Sequence, residues 1–221
     1  MLTEKKRALI DLMQEADVLR FGEFKTKSGR LSPYFVNTGN FKTGSQLSRL
    51  AAFYAAHIAE VMGEDFTALF GPAYKGIPLS AAVAVSLWNN HQIDKPYFFN
   101  RKEAKDHGEG GNLVGYAPKA GDRIVVVEDV ITAGTAVREI MPILKGAAEN
   151  LQVKDLFISV NRMEVGQNPD KTAVEEVMEE HGITVHSLIT ALDIREYLSE
   201  QPGMEETLQK MDAYMAQYCK F

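Results

Sequence analysis

Short apolar runs alternate with amphipathic stretches along most of the chain, from residue 66 onward. The apolar runs predict strands at 66–71, 95–100, 123–127, 155–160 and 183–189. Apolar positions at helical spacing predict helices at 77–90, 136–149, 172–181, 191–199 and 204–218. Strands that alternate with helices are typical of βαβ units, and strands that are apolar throughout are typical of a sheet covered on both faces. We therefore predict an α/β fold with a central, mainly parallel sheet flanked by helices.

Two parts of the chain depart from this alternation. Near the N-terminus, the pattern predicts a helix over 2–20, short strands and turns over 21–42, and a second helix over 46–63. Residues 101–122 are polar and rich in glycine, so we predict a loop there. Because loops of this length are usually lids or binding loops, we expect it to have a function.

Composition narrows the classes of function. The 221 residues include 24 basic and 30 acidic side chains, for a net charge of −6, which disfavours nonspecific binding to nucleic acid or to a membrane. The best apolar stretch, 77–88, is too short to span a bilayer, and the first residues lack the apolar core of a signal peptide. Cys219 is the single cysteine, which excludes an intrachain disulfide. We expect a cytoplasmic protein.

An acidic pair follows the most apolar predicted strand. Glu128 and Asp129 come directly after 123–127, and a turn of small and hydroxyl residues, 132–136, leads into the next helix. Ligands of open α/β sheets bind at the carboxyl ends of strands, and amides at a helix N-terminus bind phosphate. We therefore expect the turn to hold a phosphate monoester and the carboxylates to accept hydrogen bonds from ribose hydroxyls. The alternative is a capped helix behind a solvated acidic pair.

A second strand-to-helix turn lies at 70–78 and contains Tyr74 and Lys75. Its glycines and small residues allow the backbone to approach a ligand closely, and Lys75 supplies a cation, so a diphosphate would suit this turn. The alternative is a structural Gly-Pro turn that carries a surface lysine.

The polar loop begins with the cations Arg101, Lys102 and Lys105, followed by His107 and a pair of glycines. A lid that closes over a diphosphate needs cations, and it needs flexible ends that let product leave. The alternative is a solvated loop, since acidic residues match the basic ones in number.

The segment 24–35 contains Lys27 and the aromatic pair Tyr34 and Phe35. On the residues alone, a hairpin with exposed bases and a buried aromatic pair is the favoured interpretation. The other is a pocket for a flat anionic heterocycle, with stacking on one side and charge on the other.

The four motifs resemble, in the same order, those of the orotate phosphoribosyltransferases, which are type I phosphoribosyltransferases. The resemblance implies the type I phosphoribosyltransferase fold over a single domain, 1–221. It further implies a hood of an N-terminal helix and hairpin (1–42), which contributes to the base pocket, and a mobile catalytic loop (101–112). It also implies transfer of a phosphoribosyl group from phosphoribosyl pyrophosphate (PRPP) to orotate, which gives orotidine 5′-monophosphate and pyrophosphate in pyrimidine synthesis. Family members use Mg²⁺ and form homodimers with shared active sites.

The resemblance assigns roles to individual residues. The residues that bind PRPP are Lys27, Tyr74, Lys75, Arg101, Lys102, Lys105, His107, Glu128, Asp129, Val130, Ile131, Thr132, Ala133, Gly134, Thr135 and Ala136. Those with a catalytic role are Lys105, Asp129, Lys102 and His107. Those that bind orotate are Lys27, Tyr34, Phe35, Thr132 and Arg162, with Arg162 on the orotate carboxylate. Glu128 and Asp129 reach the metal through water.

Two alternatives stay open. A phosphoribosyltransferase for another base, such as adenine or hypoxanthine, would keep the acidic pair and its turn but lack the segment from Lys27 to Phe35. A regulator that senses PRPP on the same fold would add a nucleic-acid-binding element and lose the cations of the loop, whereas this chain retains them.

Overall fold

A six-stranded sheet lies at the centre of the fold, and a two-stranded hairpin precedes it along the chain. The computed structural model describes residues 2–26, 29–105 and 111–221, and the side chains of all of these except residues 104, 105 and 111. The strands are β1 (Leu19–Lys25), β2 (Leu31–Val36), β3 (Ala68–Gly71), β4 (Tyr97–Lys105), β5 (Gly111–Gly115), β6 (Arg123–Val127), β7 (Gln152–Asn161) and β8 (Thr184–Thr190). The helices are α1 (Glu4–Glu15), α2 (Gly44–Met62), α3 (Gly76–His91), α4 (Thr135–Lys145), α5 (Ala173–His181), α6 (Ala191–Ser199) and α7 (Glu205–Tyr218).

The order of strands in the large sheet is β5-β4-β3-β6-β7-β8. All neighbours are parallel except β4 and β5, which pair antiparallel at one edge. The predicted α/β fold with a mainly parallel sheet is therefore confirmed. Because parallel strands all point the same way, the residues that follow β3, β6 and β7 lie along one edge of the sheet.

Apolar side chains cover both faces of the sheet, as the near-continuous apolar strands predict. In β6, Val125 and Val127 pack into one half of the core with α1, α2, α3, α6 and α7. Ile124 and Val126 point to the other half, which contains α4 and α5. The alternation follows from the two-residue period of a strand, and it buries all four side chains.

The N-terminal hood consists of α1 and the antiparallel hairpin β1–β2. The predicted helix over 2–20 is too long, because α1 ends at Glu15 and Leu19 begins β1. Asp17 takes a left-handed conformation with φ 54°, which ends the helix and turns the chain. Leu19 is buried and fits both the helical and the strand period, so the hydrophobic pattern alone did not separate the two elements.

The polar segment 101–122 is not a loop throughout. The strand β4 continues to Lys105 and β5 returns along it, with Phe99 opposite Val114. The strand β4 pairs with β3 only as far as Phe99, so its residues 101–105 extend beyond that neighbour and can carry charged side chains. Polarity therefore did not mark a loop here. Residues 106–110, the centre of the predicted catalytic loop, lie outside the described residues.

The predicted helix over 136–149 is also too long, because α4 ends at Lys145 and Gly146 caps it. The remaining predicted elements agree with the structure within a few residues. Among residues 2–26, 29–105 and 111–221, no helix has the length and the apolar composition that crossing a bilayer requires.

Two glycines allow the backbone at the end of β3 to lie against the start of α3. A Cβ atom on Gly71 would overlap the backbone carbonyl of Gly76 and the hydroxyl of Ser80. We expect Gly71→Ala to lower the free energy of unfolding by roughly 1–3 kcal/mol, since strand and helix would have to move apart. Gly44→Ala, which has no atom within 4 Å of its Cβ position, is the matched control. Urea denaturation of both variants measures the difference, and equal losses would contradict the packing argument.

Candidate active site at the carboxyl edge of the sheet

The backbone of the acidic pair is held firmly where β6 ends. The amide of Glu128 donates to the carbonyl of Phe157 (3.0 Å), and the carbonyl of Asp129 accepts from the amide of Ser159 (2.8 Å) and from its hydroxyl (2.6 Å). The hydroxyl of Tyr54 on α2 donates to the carbonyl of Glu128 (2.8 Å). The strand β7 and the helix α2 therefore hold the backbone from which both carboxyl groups extend.

The carboxylate of Asp129 is buried, yet several donors surround it. The Thr38 hydroxyl donates to Oδ2 at 2.5 Å, the Lys75 ammonium donates to the same oxygen at 3.0 Å, and the Val130 amide donates to Oδ1 at 2.8 Å. Burial by itself raises the pKa of Asp129, but the Thr38 hydrogen bond and the Lys75 charge outweigh it and hold that pKa below its ordinary value. Asp129 is therefore ionised throughout the neutral range.

Glu128 is in the opposite situation. Its Oε1 accepts a hydrogen bond from the amide of Asp129 (2.9 Å), and its side chain is buried. Burial, followed by the neighbouring charge of Asp129, raises the pKa of Glu128. Without a metal ion beside it, the pair therefore favours one negative charge over two.

The pair supplies hard oxygen ligands but not a complete coordination shell. In the part of the chain that the structure describes, no group of three or more histidine, cysteine, aspartate or glutamate side chains lies close enough to hold a metal ion. Mg²⁺ commonly binds one or two carboxylates and takes its other ligands from water and substrate phosphates. The donor set of Glu128 and Asp129 fits a Mg²⁺ ion that arrives with a phosphorylated ligand.

The turn after the pair ends in a helix N-terminus that is open to a ligand. Gly134 has φ 73° and is the N-cap of α4. The first hydrogen bond of the helix runs from the amide of Arg138 to the carbonyl of Gly134. The amides that precede Arg138 point out of the helix, where they can bind an anion. Gly134 also packs closely against Val177, so a side chain at this position would clash.

The side chains of this turn divide between solvent and the core. Thr132, Ala133, Thr135 and Ala136 are exposed. Ile131 is buried in the half of the core beneath α4. Val130 forms a parallel bridge with Val160 of β7. The two threonine hydroxyls are thus accessible to a ligand, whereas Val130 and Ile131 anchor the turn.

The turn between β3 and α3 lies beside the acidic pair, since β3 is the sheet neighbour of β6. The side-chain oxygen of Asn100, a buried residue within β4, accepts from the amide of Ala73 (2.9 Å), and the Ala73–Tyr74 peptide is cis. Tyr74 is 67% exposed, and Lys75 reaches across to Asp129. The structure thus brings together the two turns predicted to hold phosphate groups.

Part of the predicted catalytic loop reaches the same place. The ammonium of Lys102 on β4 lies 5.6 Å from the centre of the Tyr74 ring, in a cation–π contact. Arg101, beside it, is half-buried. The backbone of Lys105 ends β4, while His107 lies outside the described residues.

The two aromatic residues predicted to bind orotate, Tyr34 and Phe35, lie on opposite faces of β2. Tyr34 is completely buried, whereas Phe35 is half-buried and stacks on Phe24 with ring centres 5.4 Å apart. The guanidinium of Arg162 lies over the Tyr34 ring, 4.5 Å from its centre. The structure therefore brings Tyr34 to Arg162 and separates it from Phe35, while Lys27 lies outside the described residues.

Arg162 follows the carboxyl end of β7, the strand next to β6. Its side chain is only 12% exposed and is paired with Glu164. Nε and Nη2 donate to Oε1 of Glu164 at 2.8 and 2.6 Å, and Nη2 also lies 3.4 Å from the Ser32 hydroxyl. The guanidinium is thus held in place by the protein itself.

The sequence patterns did not indicate several residues that shape this site. Thr38 lies in a short polar turn, and Asn100 lies at a strand position. Tyr54 lies on the apolar stripe of a predicted helix, where it is indistinguishable from a core residue. Together with Lys75, Asp129 and Ser159, Thr38 and Tyr54 line a cavity of about 230 Å³. Their proximity depends on tertiary contacts between residues up to 91 positions apart in the chain.

Comparisons with known proteins agree over nearly the whole chain. Residues 37–185 match the family described as the phosphoribosyl transferase domain. An orotate phosphoribosyltransferase of Clostridium acetobutylicum is 52% identical over 89% of this chain and 87% of its own, and one of Pseudomonas putida is 50% identical over 96% and 97%. The crystal structure of the orotate phosphoribosyltransferase of Francisella tularensis superimposes with a TM-score of 0.86 and 37% identity, over 96% of this chain and all of that one.

The hydrogen bond from Thr38 to Asp129 gives a test of the site's electrostatics. We expect Thr38→Val to lower the free energy of unfolding by roughly 1–3 kcal/mol at neutral pH, because a buried carboxylate loses a donor. Since the folded pKa of Asp129 lies below its unfolded value, this contribution is complete above that unfolded value and is lost as the pH falls through the folded one. Denaturation of both proteins between about pH 7 and about pH 3 measures the difference.

Thr184→Val is the control, since Thr184 is exposed on β8 and its hydroxyl has no hydrogen bond to any residue described in the structure. A cost that does not change with pH would mean that Thr38 stabilises the fold by packing and not through the carboxylate.

Proposed function

This chain belongs to the orotate phosphoribosyltransferase family, and we propose that it transfers the 5-phosphoribosyl group of PRPP to orotate, giving orotidine 5′-monophosphate and pyrophosphate in pyrimidine synthesis. The proposal rests on one observation: the turns that follow β3 and β6 meet at the acidic pair, where Lys75 contacts Asp129, and Arg162 follows the neighbouring strand β7. PRPP has a phosphate, a ribose diol and a diphosphate, and orotate has a carboxylate. Each group has a complementary counterpart at this edge of the sheet.

The turn that begins α4 would bind the 5-phosphate. Its outward amides and the exposed hydroxyls of Thr132 and Thr135 are the donors that a phosphate monoester needs. Asp129, which is ionised, and Glu128 would accept hydrogen bonds from the ribose hydroxyls. Binding of the diol must displace the Lys75 ammonium from Asp129, which would free Lys75 for the diphosphate.

The diphosphate would lie over the turn between β3 and α3. Tyr74 and Lys75 are exposed there, and Lys102 already contacts the Tyr74 ring. Arg101 lies on the same strand as Lys102, and the sequence adds Lys105 and His107 beyond it. Lys105 is our candidate for contacting the leaving group in the transition state.

The residues present fit a Mg²⁺ ion carried in by the diphosphate. Glu128 and Asp129 would hold it, mainly through water. When bound, Mg²⁺ neutralises part of the negative charge on the diphosphate. Glu128, whose pKa is raised in the protein alone, would ionise more readily beside a cation.

Orotate would bind between the hood and Arg162. Arg162 would pair with its carboxylate, while Lys27, Phe35 and Thr132 would line the pocket and Tyr34 would support the guanidinium from beneath. An arginine fork suits this task because it offers parallel N–H donors to a planar carboxylate.

The chemistry needs no nucleophile from the protein. The bond between C1′ and the diphosphate oxygen breaks, the ribose acquires oxocarbenium character, and N1 of orotate attacks C1′ from the opposite face. N1 gives up its proton in this step, and the departing pyrophosphate can accept it. The electron pair of the broken bond leaves with pyrophosphate. The side chains would act by holding the two substrates in line and by neutralising the charge on the leaving group.

A pyrophosphate-release assay tests this function. We expect turnover with PRPP, Mg²⁺ and orotate, and none with adenine, hypoxanthine or uracil in place of orotate. Turnover with another base would identify a phosphoribosyltransferase of different specificity, and PRPP binding without turnover of any base would indicate a regulator.

Lys105 gives the first mutational test. We expect Lys105→Ala to lower kcat by roughly 10²–10³, because a contact made as charge develops on the leaving group is lost. The KM for PRPP should change little. Lys119→Ala is the control, because Lys119 is exposed and precedes β6, whereas the acidic pair follows the other end of that strand. A variant with normal kcat and a raised KM would make Lys105 a binding residue.

Arg162 gives the second. We expect Arg162→Ala to raise the KM for orotate by roughly 10–100-fold, because the orotate carboxylate is remote from the reacting bond and its contact is made equally before and in the transition state. The KM for PRPP should stay within about twofold. Equal losses for both substrates would show that Arg162 only supports the fold.

We also propose a single domain that pairs into a homodimer, with the loop of one subunit serving the site of the other; this follows from the family alone. Lys105→Ala and a double variant, Asp129→Asn with Thr135→Ala, should each be inactive. After subunit exchange, half of the dimers are mixed and each has one intact site of two, so about one quarter of wild-type activity should return. Proven exchange without recovery would mean that Lys105 serves its own chain.

A further inference from the structure

The guanidinium of Arg162 is held by a frame that is larger than its ion pair. Nε and Nη2 share one oxygen, Oε1 of Glu164, at 2.8 and 2.6 Å. The Tyr34 ring lies beneath the guanidinium plane, 4.5 Å away. Contacts at one edge and on one face fix both the position and the tilt of the group. Within residues 2–26, 29–105 and 111–221, Nη1 makes no hydrogen bond, so it remains available to a ligand.

Glu164 is in turn held by the C-terminal helix. The hydroxyl of Tyr214 on α7 donates to the same Oε1 at 2.7 Å, so this one oxygen accepts three hydrogen bonds. Burial and the neighbouring Glu164 carboxylate raise the pKa of Tyr214 to about 12. Tyr214 therefore stays protonated and remains a donor throughout the neutral range.

The backbone reinforces this contact. Glu164 forms an antiparallel bridge with Cys219, just after α7. The amide of Val165 donates to the carbonyl of Tyr218, and the amide of Lys220 donates to the carbonyl of Met163, both at 2.9 Å. Residues 163–165 are thus hydrogen-bonded through their backbone to residues 218–220, at and just after the end of α7.

The frame draws on parts of the chain outside the shared domain. The phosphoribosyl transferase family match covers residues 37–185, whereas Tyr34 precedes it and Tyr214 follows it. The curated orotate phosphoribosyltransferase of Pseudomonas putida matches 96% of this chain, which is more than the domain covers. The groups that hold Arg162 from beneath and from behind therefore come from segments that lie outside the match to the general domain.

We infer that Glu164 and Tyr214 are positioning residues that aim the free edge of the Arg162 guanidinium at the carboxylate of the base, so that helix α7 contributes to the choice of base. This inference rests on the proposed function, because it takes the carboxylate of orotate as the group that Arg162 binds. Glu164 also takes the hydrogen of Nε and one of the two hydrogens of Nη2, so that the ligand can meet only the edge formed by Nη1 and the other N–H of Nη2. A base with a carboxylate is then recognised in one orientation only.

Two variants test the inference. Tyr214→Phe keeps the ring and removes the hydroxyl donor, and Glu164→Gln keeps the size and removes the charge. We expect the KM for orotate to rise roughly 3–10-fold in Tyr214→Phe and roughly 10-fold or more in Glu164→Gln, since one or two charge-assisted hydrogen bonds are lost. The kcat at saturating orotate and the KM for PRPP should stay within about twofold of wild type.

Tyr218→Phe is the matched control on the same helix. Tyr218 packs against Tyr214, with ring centres 5.0 Å apart, and its hydroxyl makes no hydrogen bond in the described part of the chain. It should leave the KM for orotate unchanged. If it raises that KM as much as Tyr214→Phe does, general packing of α7 and not the bond to Glu164 is responsible, and the inference is wrong.

A double-mutant cycle separates positioning from a structural role. In an Arg162→Ala background, Glu164→Gln and Tyr214→Phe should change the KM for orotate by less than about twofold, because they act only through Arg162. Effects that multiply would overturn the inference, as would a lower KM in Glu164→Gln, which would mean that Glu164 opposes binding. If Glu164→Gln fails to fold, Tyr214→Phe decides alone.

Pyrophosphate release by the wild-type protein distinguishes failure of the proposed function from failure of this inference. Absence of pyrophosphate release from PRPP and orotate would overturn the proposed function and the inference with it. Normal wild-type turnover, with an unchanged KM for orotate in both folded variants, would overturn the inference alone.

Discussion

A carboxylate that is shielded from water is stable only when other groups of the protein solvate it, and Asp129 is such a carboxylate. Its donors come from separate parts of the fold: Thr38 follows β2, Lys75 precedes α3, and the Val130 amide belongs to the turn that leads to α4. The same requirement that stabilises the charge thus gathers the elements of the site around it. A cation and hydroxyl donors that solvate Asp129 in the protein alone are the kinds of group that a metal-bound sugar diphosphate would supply in their place.

The parallel sheet explains why the two turns that we propose bind phosphate groups lie next to each other. The strands β3 and β6 are neighbours with the same direction, so the turns that follow them start side by side. Gly71 and Gly76 allow the backbones to approach without side chains between them. The Asn100 side chain, from the next strand along, then holds the first turn at its Ala73 amide. The geometry for binding two phosphate groups is therefore a property of neighbouring strand ends and not of any one motif.

The recognition of the base that we propose has a different structural origin. Arg162 follows β7 in the shared domain, but the groups that hold it include Tyr34 from the hood and, through Glu164, Tyr214 from α7. This division would suit a fold in which one sheet edge serves many bases: the proposed sugar and phosphate contacts lie in the domain, while the segments around it orient the group proposed to select the base.

The sequence by itself determined the α/β class, the order of the elements and the two turns, because these depend on local periods and on residues that are neighbours in the chain. Its errors were also local: Leu19 fits a helix and a strand equally well, and charged residues at the end of β4, beyond the end of its neighbour β3, look like a loop. Only the tertiary structure decided that Thr38 would solvate Asp129, that Ser32 and Tyr34 would lie against Arg162, and that α7 would hold Glu164 behind it. These contacts join residues 50 to 130 positions apart. The local hydrophobic pattern does not indicate which of such distant residues will meet, because only the packing of the complete core brings their side chains together.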